Sequence, residues 1–395
     1  MMSVQEIVCL TNQIGRKTCC DKVVFTLQKM QSNRSAVIDL GSSTTKAGLS
    51  GSSSPVVHIP TVVGHLKQPN GLLPENYENE CVGDAAVARR GILNLNHPVQ
   101  EGRVTDWKDV ERLLLFVFLY ELRIRSEEQP LLMSEAMGWQ LEDAEKMVEL
   151  VFEKLRVPSY HTVKQPVLSL MASDCTTGLS FDSGLTTSRA VPVVDGNVIN
   201  EAVKSIPVGG KQLDDYMISM LGEKGILLST QREKALATEI KENLGRASLN
   251  FETEKFKEQS FELPDGSELI ISNERFRCVE AIFQPQLVGL DCASIHEVIH
   301  ASIQQCDMNI RMELYKNIAL SGGNTMFESL DQRLFNELST VAPSPAHIKI
   351  FAPPQRIHST WLGGSILSSM SIFPSLCMTQ EDYAEQGLAI IRNEY

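Results

Sequence analysis

The strongest constraint on the fold is a short motif that occurs twice. Ile38-Asp39-Leu40-Gly41-Ser42-Ser43-Thr44-Thr45-Lys46 is echoed by Phe181-Asp182-Ser183-Gly184-Leu185-Thr186-Thr187-Ser188-Arg189, the two aspartates standing 143 residues apart. In each copy a strand-like run ends in Asp-x-Gly, small hydroxyl residues follow, and a cation stands seven positions after the Asp. Such a run reads as a buried strand entering a turn. A repeat at about one domain length implies a chain built from two related halves. The residue types also imply chemistry. Glycine and small residues let backbone N–H groups approach phosphate oxygens closely. An aspartate at a strand end can hold a divalent cation through retained waters, and Lys46 supplies a point charge for phosphate. Two such hairpins, facing each other, would clamp a triphosphate between two lobes.

The remaining pattern is α/β. Val110, Leu113, Leu114, Val117 and Tyr120 recur at helical spacing within 107–122, and 144–155 repeats that behaviour. Segments 213–221 and 231–244 read as helices, and 318–323 as a third strand entering a glycine turn. Gly363 and Gly364, within 360–371, predict a tight turn that opens a helix. Strands and helices alternate throughout. Residues 64–81 and 252–265 are expected to be loop excursions, the second highly charged, with Glu252, Glu254, Glu258 and Glu262 on a solvated face. Residues 1–34 show little periodicity and are expected to form a flexible extension.

Bulk properties exclude several classes of function. Of 395 residues, 43% are apolar, enough to bury a sizeable core. The formal net charge of −13 argues against direct binding to nucleic acid or an anionic membrane, and favours basic partner surfaces. The longest apolar run, 113–122, is far short of the roughly 20 residues of a membrane span. Nine cysteines, dispersed and without a Cys-x-x-Cys pair, read as reduced thiols of a cytosolic protein. His296-Glu297-Val298-Ile299-His300 matches a zinc-protease pattern, but no Gly or His follows at 303 or 306. Gly209-Gly210-Lys211 lacks the Ser or Thr that a P-loop requires. Trp107, Trp139 and Trp361 read as packing residues.

The chain resembles the actins. The matching stretches include Val37-Ile38-Asp39-x-Gly41-Ser42, Lys46-Ala47-Gly48, Arg90-Gly91-Ile92-Leu93, Gly102-x-Val104-Thr105-x-Trp107 and Thr176-Thr177-Gly178. Asn273-Glu274-Arg275-Phe276-Arg277-Cys278, Leu320-Ser321-Gly322-Gly323, Ala352-Pro353-Pro354 and Trp361-Leu362-Gly363-Gly364-Ser365-Ile366-Leu367 continue the match. It covers residues 35–395, and among the family the chain looks nearest to the testis-type actin-related proteins.

The resemblance implies an actin-like fold, a duplicated ribonuclease H-like ATPase architecture with two lobes and four subdomains. It places 35–172 and 359–395 in a small lobe, with 61–97 as its outer subdomain, and 173–358 in a large lobe, with 209–290 as its outer subdomain. It implies ATP or ADP with Mg²⁺ or Ca²⁺ in a central cleft. Asp39 and Asp182 would hold the cation's waters, and Gln165 would orient an attacking water. Gly41, Ser42, Lys46, Ser183 and Gly184 would hold phosphates. Gly210, Lys241, Glu242, Gly322, Gly323 and Met326 would surround the nucleoside. An apolar groove of Met171, Ile366, Leu367, Met370, Ile372 and Leu376 would receive helical segments of actin-binding or cytoskeletal partners, so that Leu367→Asp should abolish partner binding with little loss of stability.

Departures from the family carry their own expectations. Leu185 stands where actins have an Asp and Arg189 where they have a His, so slower hydrolysis is expected. Thr238 replaces an Arg and Ile357 a Lys near the nucleoside. The loop tip Asn70-Gly71-Leu72-Leu73-Pro74-Glu75 and the shortened segment 252–262 imply poor self-assembly. The implied role is that of a cytoplasmic, cytoskeletal interaction subunit, at most a slow ATPase. The alternatives are a nuclear subunit of a chromatin complex and a superfamily kinase or ATPase.

Overall fold

The computed structural model describes residues 34–67, 80–255, 258–263 and 266–392. The expected extension, up to residue 33, and the loop tip 70–75 lie outside the described residues.

Two sheets organise the chain. The first runs in the order Met378–Thr379, Ser159–Lys164, Leu131–Glu135, Ala36–Leu40, Thr44–Leu49 and Val57–Pro60. The second runs Asn197–Val198, Ser188–Val194, Gly178–Ser183, Ile318–Ser321 and Ile350–Phe351, with Lys204–Ile206 also on Ser188–Val194. In both, an antiparallel hairpin lies beside a parallel neighbour strand. The duplication reaches the register itself: Asp39 pairs with Lys46, and Asp182 with Arg189. The central strand Ala36–Leu40 is buried along its whole length, as expected of a strand covered on both faces. Each sheet has its own core. One draws on Ile38, Leu113, Met133, Met147 and Phe152, the other on Phe181, Met217, Ile282, Ile299 and Tyr315.

Helices formed largely where periodicity placed them, at Gly210–Glu223 and Gln231–Leu244, and His296–His300 lies within the helix Ile295–Gln305. Helices Trp107–Phe116 and Leu141–Glu149 each widen into a π turn, Val117–Leu122 and Leu150–Lys154. Two expected loops carry strands. Val63–Leu66 and Glu80–Val82 pair within a small outer sheet with Leu93–Asn96. That sheet is pinned to the helix below it by Asp109, which accepts from Asn96 Nδ2 at 2.6 Å and sits 2.8 Å from His65 Nε2. Gln259–Glu262, within the segment expected to be a loop, pairs as a hairpin with Glu268–Ile271 just beyond it. Within the acidic cluster, Glu254 is not simply solvated, because Arg246 and the Ser248 hydroxyl (2.8 Å) both bind it.

The glycine pair also differs from expectation. Gly363 and Gly364 lie inside the helix Ser359–Leu367, not in a turn before it. The reason is close packing against the helix Gln165–Met171. A Cβ on Gly363 would overlap the Leu168 carbonyl, and one on Gly364 would come 2.8 Å from Val37 Cγ1. Two helix backbones therefore touch where the chain passes between the sheets, with Trp361 fully buried alongside and its indole donating to the Val37 carbonyl at 2.9 Å. On the other side, Leu170 packs against Val191, Val193 and Ala319 of the second sheet. Helix Gln165–Met171 is thus a shared hinge.

We expect Gly363→Ala to cost about 3 kcal/mol, since no flexible side chain can yield to the added methyl. Gly222→Ala, in a helix with open space around it, should stabilise by about 0.5 kcal/mol. Urea denaturation of the two variants should therefore give opposite signs.

Candidate functional site

The two hairpin turns close alike. Gly41 N donates to Thr44 O at 3.2 Å, and Gly184 N to Thr187 O at 3.0 Å. Ser42, Ser43, Leu185 and Thr186, between those bonds, line one cleft of about 490 Å³ between the sheets. That volume lies in the usual range for small-molecule and cofactor pockets. Asp39, Gly41, Lys46, Gln165, Asp182, Gly184, Arg189, Gly210, Lys241, Glu242, Gly322, Gly323 and Met326 line the same cleft.

Each aspartate is fixed by a serine from its parallel neighbour strand. Ser134 Oγ donates to Asp39 Oδ1 at 2.6 Å, and Ser321 Oγ to Asp182 Oδ1 at 3.0 Å. Lys46 Nζ sits 3.2 Å from Asp39 Oδ2. Gln165, first residue of the hinge helix, donates to Asp39 Oδ1 at 3.1 Å. Asp182 still shows part of its surface to the cleft, yet enclosure by protein pushes its pKa upward, against the Ser321 hydrogen bond and the charge of Lys46. His58 and His358 pack edge to face at 5.3 Å, both held below the usual histidine pKa, first by burial and then by Lys46.

The far end of the cleft is built from the turn Gly322–Met326. Gly322 has φ +87°, and a Cβ there would overlap the Ser183 carbonyl. Only glycine fits that position. Asn324 Nδ2 donates to the Gly184 carbonyl at 2.6 Å, tying this turn to the second hairpin. Lys241 is buried, 2.8 Å from Asp214 Oδ1 and 3.3 Å from the Gly210 carbonyl. Glu242 is shifted upward by burial, against the charge of Lys241. Ser183 alone among the expected nucleotide residues turns away: its hydroxyl bonds Ser188 Oγ at 2.7 Å inside the hairpin.

A family model described as Actin matches residues 30–395. The chain belongs to the actin family. Actins generally carry ATP or ADP with a divalent cation, and the residues here fit that group. A cradle of glycine and hydroxyl residues faces two carboxylates and a lysine, and an added Cβ at Gly210 would come within 3.3 Å of Asn324 Oδ1. Among the described residues no three His, Cys, Asp or Glu side chains gather as a metal site. A cation in this cleft would accordingly need waters and phosphate oxygens to complete its shell.

The actin-like reading also accounts for the protease-like pattern. Glu297 caps its own helix, accepting from Ser294 N at 2.8 Å, and His300 Nδ1 lies 2.7 Å from Tyr315 OH. No helix among the described residues is long and apolar enough to cross a membrane. Sequence reasoning missed Ser134, Asn324, His58 and His358. A signal existed for the first: Leu131-Leu132-Met133-Ser134 and Ile318-Ala319-Leu320-Ser321 are both apolar runs ending in serine.

A folded-state pKa above the ordinary carboxylate value means that protonated Asp182 favours folding and ionised Asp182 opposes it. Its stabilising contribution is complete at low pH and is lost as pH rises through the shifted value. In nucleotide-free protein, Asp182→Asn should therefore melt higher than wild type at neutral pH. The gap should close below about pH 4, where the unfolded chain is protonated as well. Thermal melts across pH check both sign and window.

Proposed function

We propose that this chain is an actin-related interaction subunit whose cleft binds ATP or ADP with Mg²⁺ or Ca²⁺. One observation carries this reading: two hairpins of identical register present Asp39 with Lys46, and Asp182, to a single cleft. Asp39 and Asp182 would hold the cation's waters, with Gly41, Ser42, Lys46 and Gly184 on the phosphates. Gly210, Lys241, Glu242, Gly322, Gly323 and Met326 would enclose the nucleoside. A bound cation would offset phosphate charge between the two carboxylates. We assign 35–172 and 359–395 to the smaller lobe and 173–358 to the larger, with 61–97 and 209–290 as their outer parts. The segregation of the two large cores supports this division. Ligand that binds only the folded state adds roughly 4 kcal/mol at a thousandfold excess over Kd. ATP with either cation should therefore raise the melting temperature, and an unchanged melt would refute the proposal.

Hydrolysis should be slow. Gln165 would align a water, but its amide is held by Asp39. Arg189 stays protonated at neutral pH and cannot accept the proton of an attacking water. Leu185 offers no carboxylate. Losing one well-placed polar group in such a site commonly costs about a hundredfold. Single-turnover hydrolysis should be slower than for a conventional actin measured alongside, and Arg189→His with Leu185→Asp should restore part of the rate.

The partner groove needs one correction. Leu367 is only 9% exposed and packs with Val37, Leu132, Leu168 and Trp361, so Leu367→Asp would report on folding instead of binding. Ile366, Met370, Ile372 and Leu376 are exposed beside it, Ile372 at 56%, with Met171 partly covered. An exposed apolar strip of this kind suits an amphipathic helix of a cytoskeletal partner. Cytoplasmic location is part of the same proposal, and a nuclear role is its alternative.

A further inference from the structure

Arg189 and Lys46 occupy equivalent register positions, yet their side chains do different things. Lys46 turns back onto the aspartate opposite it. Arg189 instead leaves its hairpin, and Nη2 donates to the Glu101 carbonyl at 3.1 Å. Glu101 and Gly102 form the two-residue tip of the hairpin Val99–Gln100 and Arg103–Val104. Their φ values of 53° and 80° match a type I′ turn. From its other side that tip is seated against the first phosphate hairpin, Gly102 N donating to Ser42 Oγ at 3.2 Å. A side chain of the second sheet thus crosses the cleft and ends on a turn that touches the first.

We propose that Arg189 is an interlobe clasp that holds the cleft closed and limits how fast bound nucleotide leaves. The inference rests on the nucleotide reading of the cleft and assigns control of release to a residue beside the first turn of the hinge helix. The clasp adds a second tie across the cleft, close to the covalent connection at Gln165–Met171, since Arg189 lines one small cavity with Gln165, Pro166 and Ser169. Arginine suits this position because its side chain is long, planar at the tip and permanently charged, and its bond to a carbonyl is charge-assisted. Because the acceptor is a backbone carbonyl, only the arginine side chain can be changed by substitution without altering the turn.

The test compares full-length wild type with Arg189→Met, which keeps a long stem and removes the donors, and with Arg189→Lys. A hydrogen bond of this kind weights an opening equilibrium by about fivefold to tenfold. In nucleotide-free protein, amide exchange across 99–104 should accelerate by that factor in Arg189→Met and by less in Arg189→Lys. A fluorescent ATP analogue should leave Arg189→Met faster by a similar factor. Unchanged exchange across 99–104 overturns the clasp, including the case in which the analogue leaves faster, because Arg189 would then touch nucleotide directly. If wild type binds no nucleotide, the cleft reading fails and control of release fails with it; normal binding with unchanged exchange sinks the clasp alone. Should Arg189→Met not fold, exchange in Arg189→Lys decides by the same criterion.

Discussion

Two carboxylates set at the ends of two sheets and aimed into one cleft are the constraint around which this molecule is arranged. Asp39 and Asp182 repel each other as anions, and the protein offsets this only in part. Each is held by a serine from its neighbouring strand, but a lysine binds only the first. The second is left with a pKa above the ordinary range. Such a cleft is electrostatically incomplete when empty, which is a familiar signature of a site built for a charged ligand. The cost is carried by rigid surroundings: strands buried on both faces, a glycine turn that admits no Cβ, and a hinge where two helix backbones meet.

Duplication explains the geometry, and divergence explains what the halves do differently. The paired registers Asp39–Lys46 and Asp182–Arg189 coincide to the residue. The cations then part company, one neutralising its own aspartate and the other reaching the turn at Glu101. Backbone symmetry is thus combined with asymmetry of side-chain destination, one cation within its own hairpin and the other on the turn at Glu101.

Much of this was legible in the sequence because it depends on local pattern. The hairpins, the helix 231–244 and the strand before Gly322 declare themselves through burial periodicity and turn residues. What escaped depends on distant packing. Gly363 and Gly364 read as a turn, since nothing local reveals that Leu168 would abut them. Segments 64–81 and 252–265 read as loops because their strands are short and mostly polar or half-exposed. Leu367 was indistinguishable from its exposed neighbours until the helix was placed against Val37 and Trp361. Ser134 becomes part of the site only through parallel pairing, which brings it to Asp39 from 95 residues away.

The hinge has a consequence for synthesis. The first sheet and the packing beneath it draw on both early and late segments: Trp361 bonds Val37 across 324 residues, and Met378 pairs with Tyr160. The second sheet and its core lie wholly between them. During vectorial translation, residues 36–164 would emerge with an apolar face awaiting partners that the ribosome delivers last. The middle of the chain can consolidate before its beginning. Until residues 361–391 arrive, the nascent protein exposes strand edges and apolar side chains of the kind that drive misassociation, so the sheet that starts first finishes last.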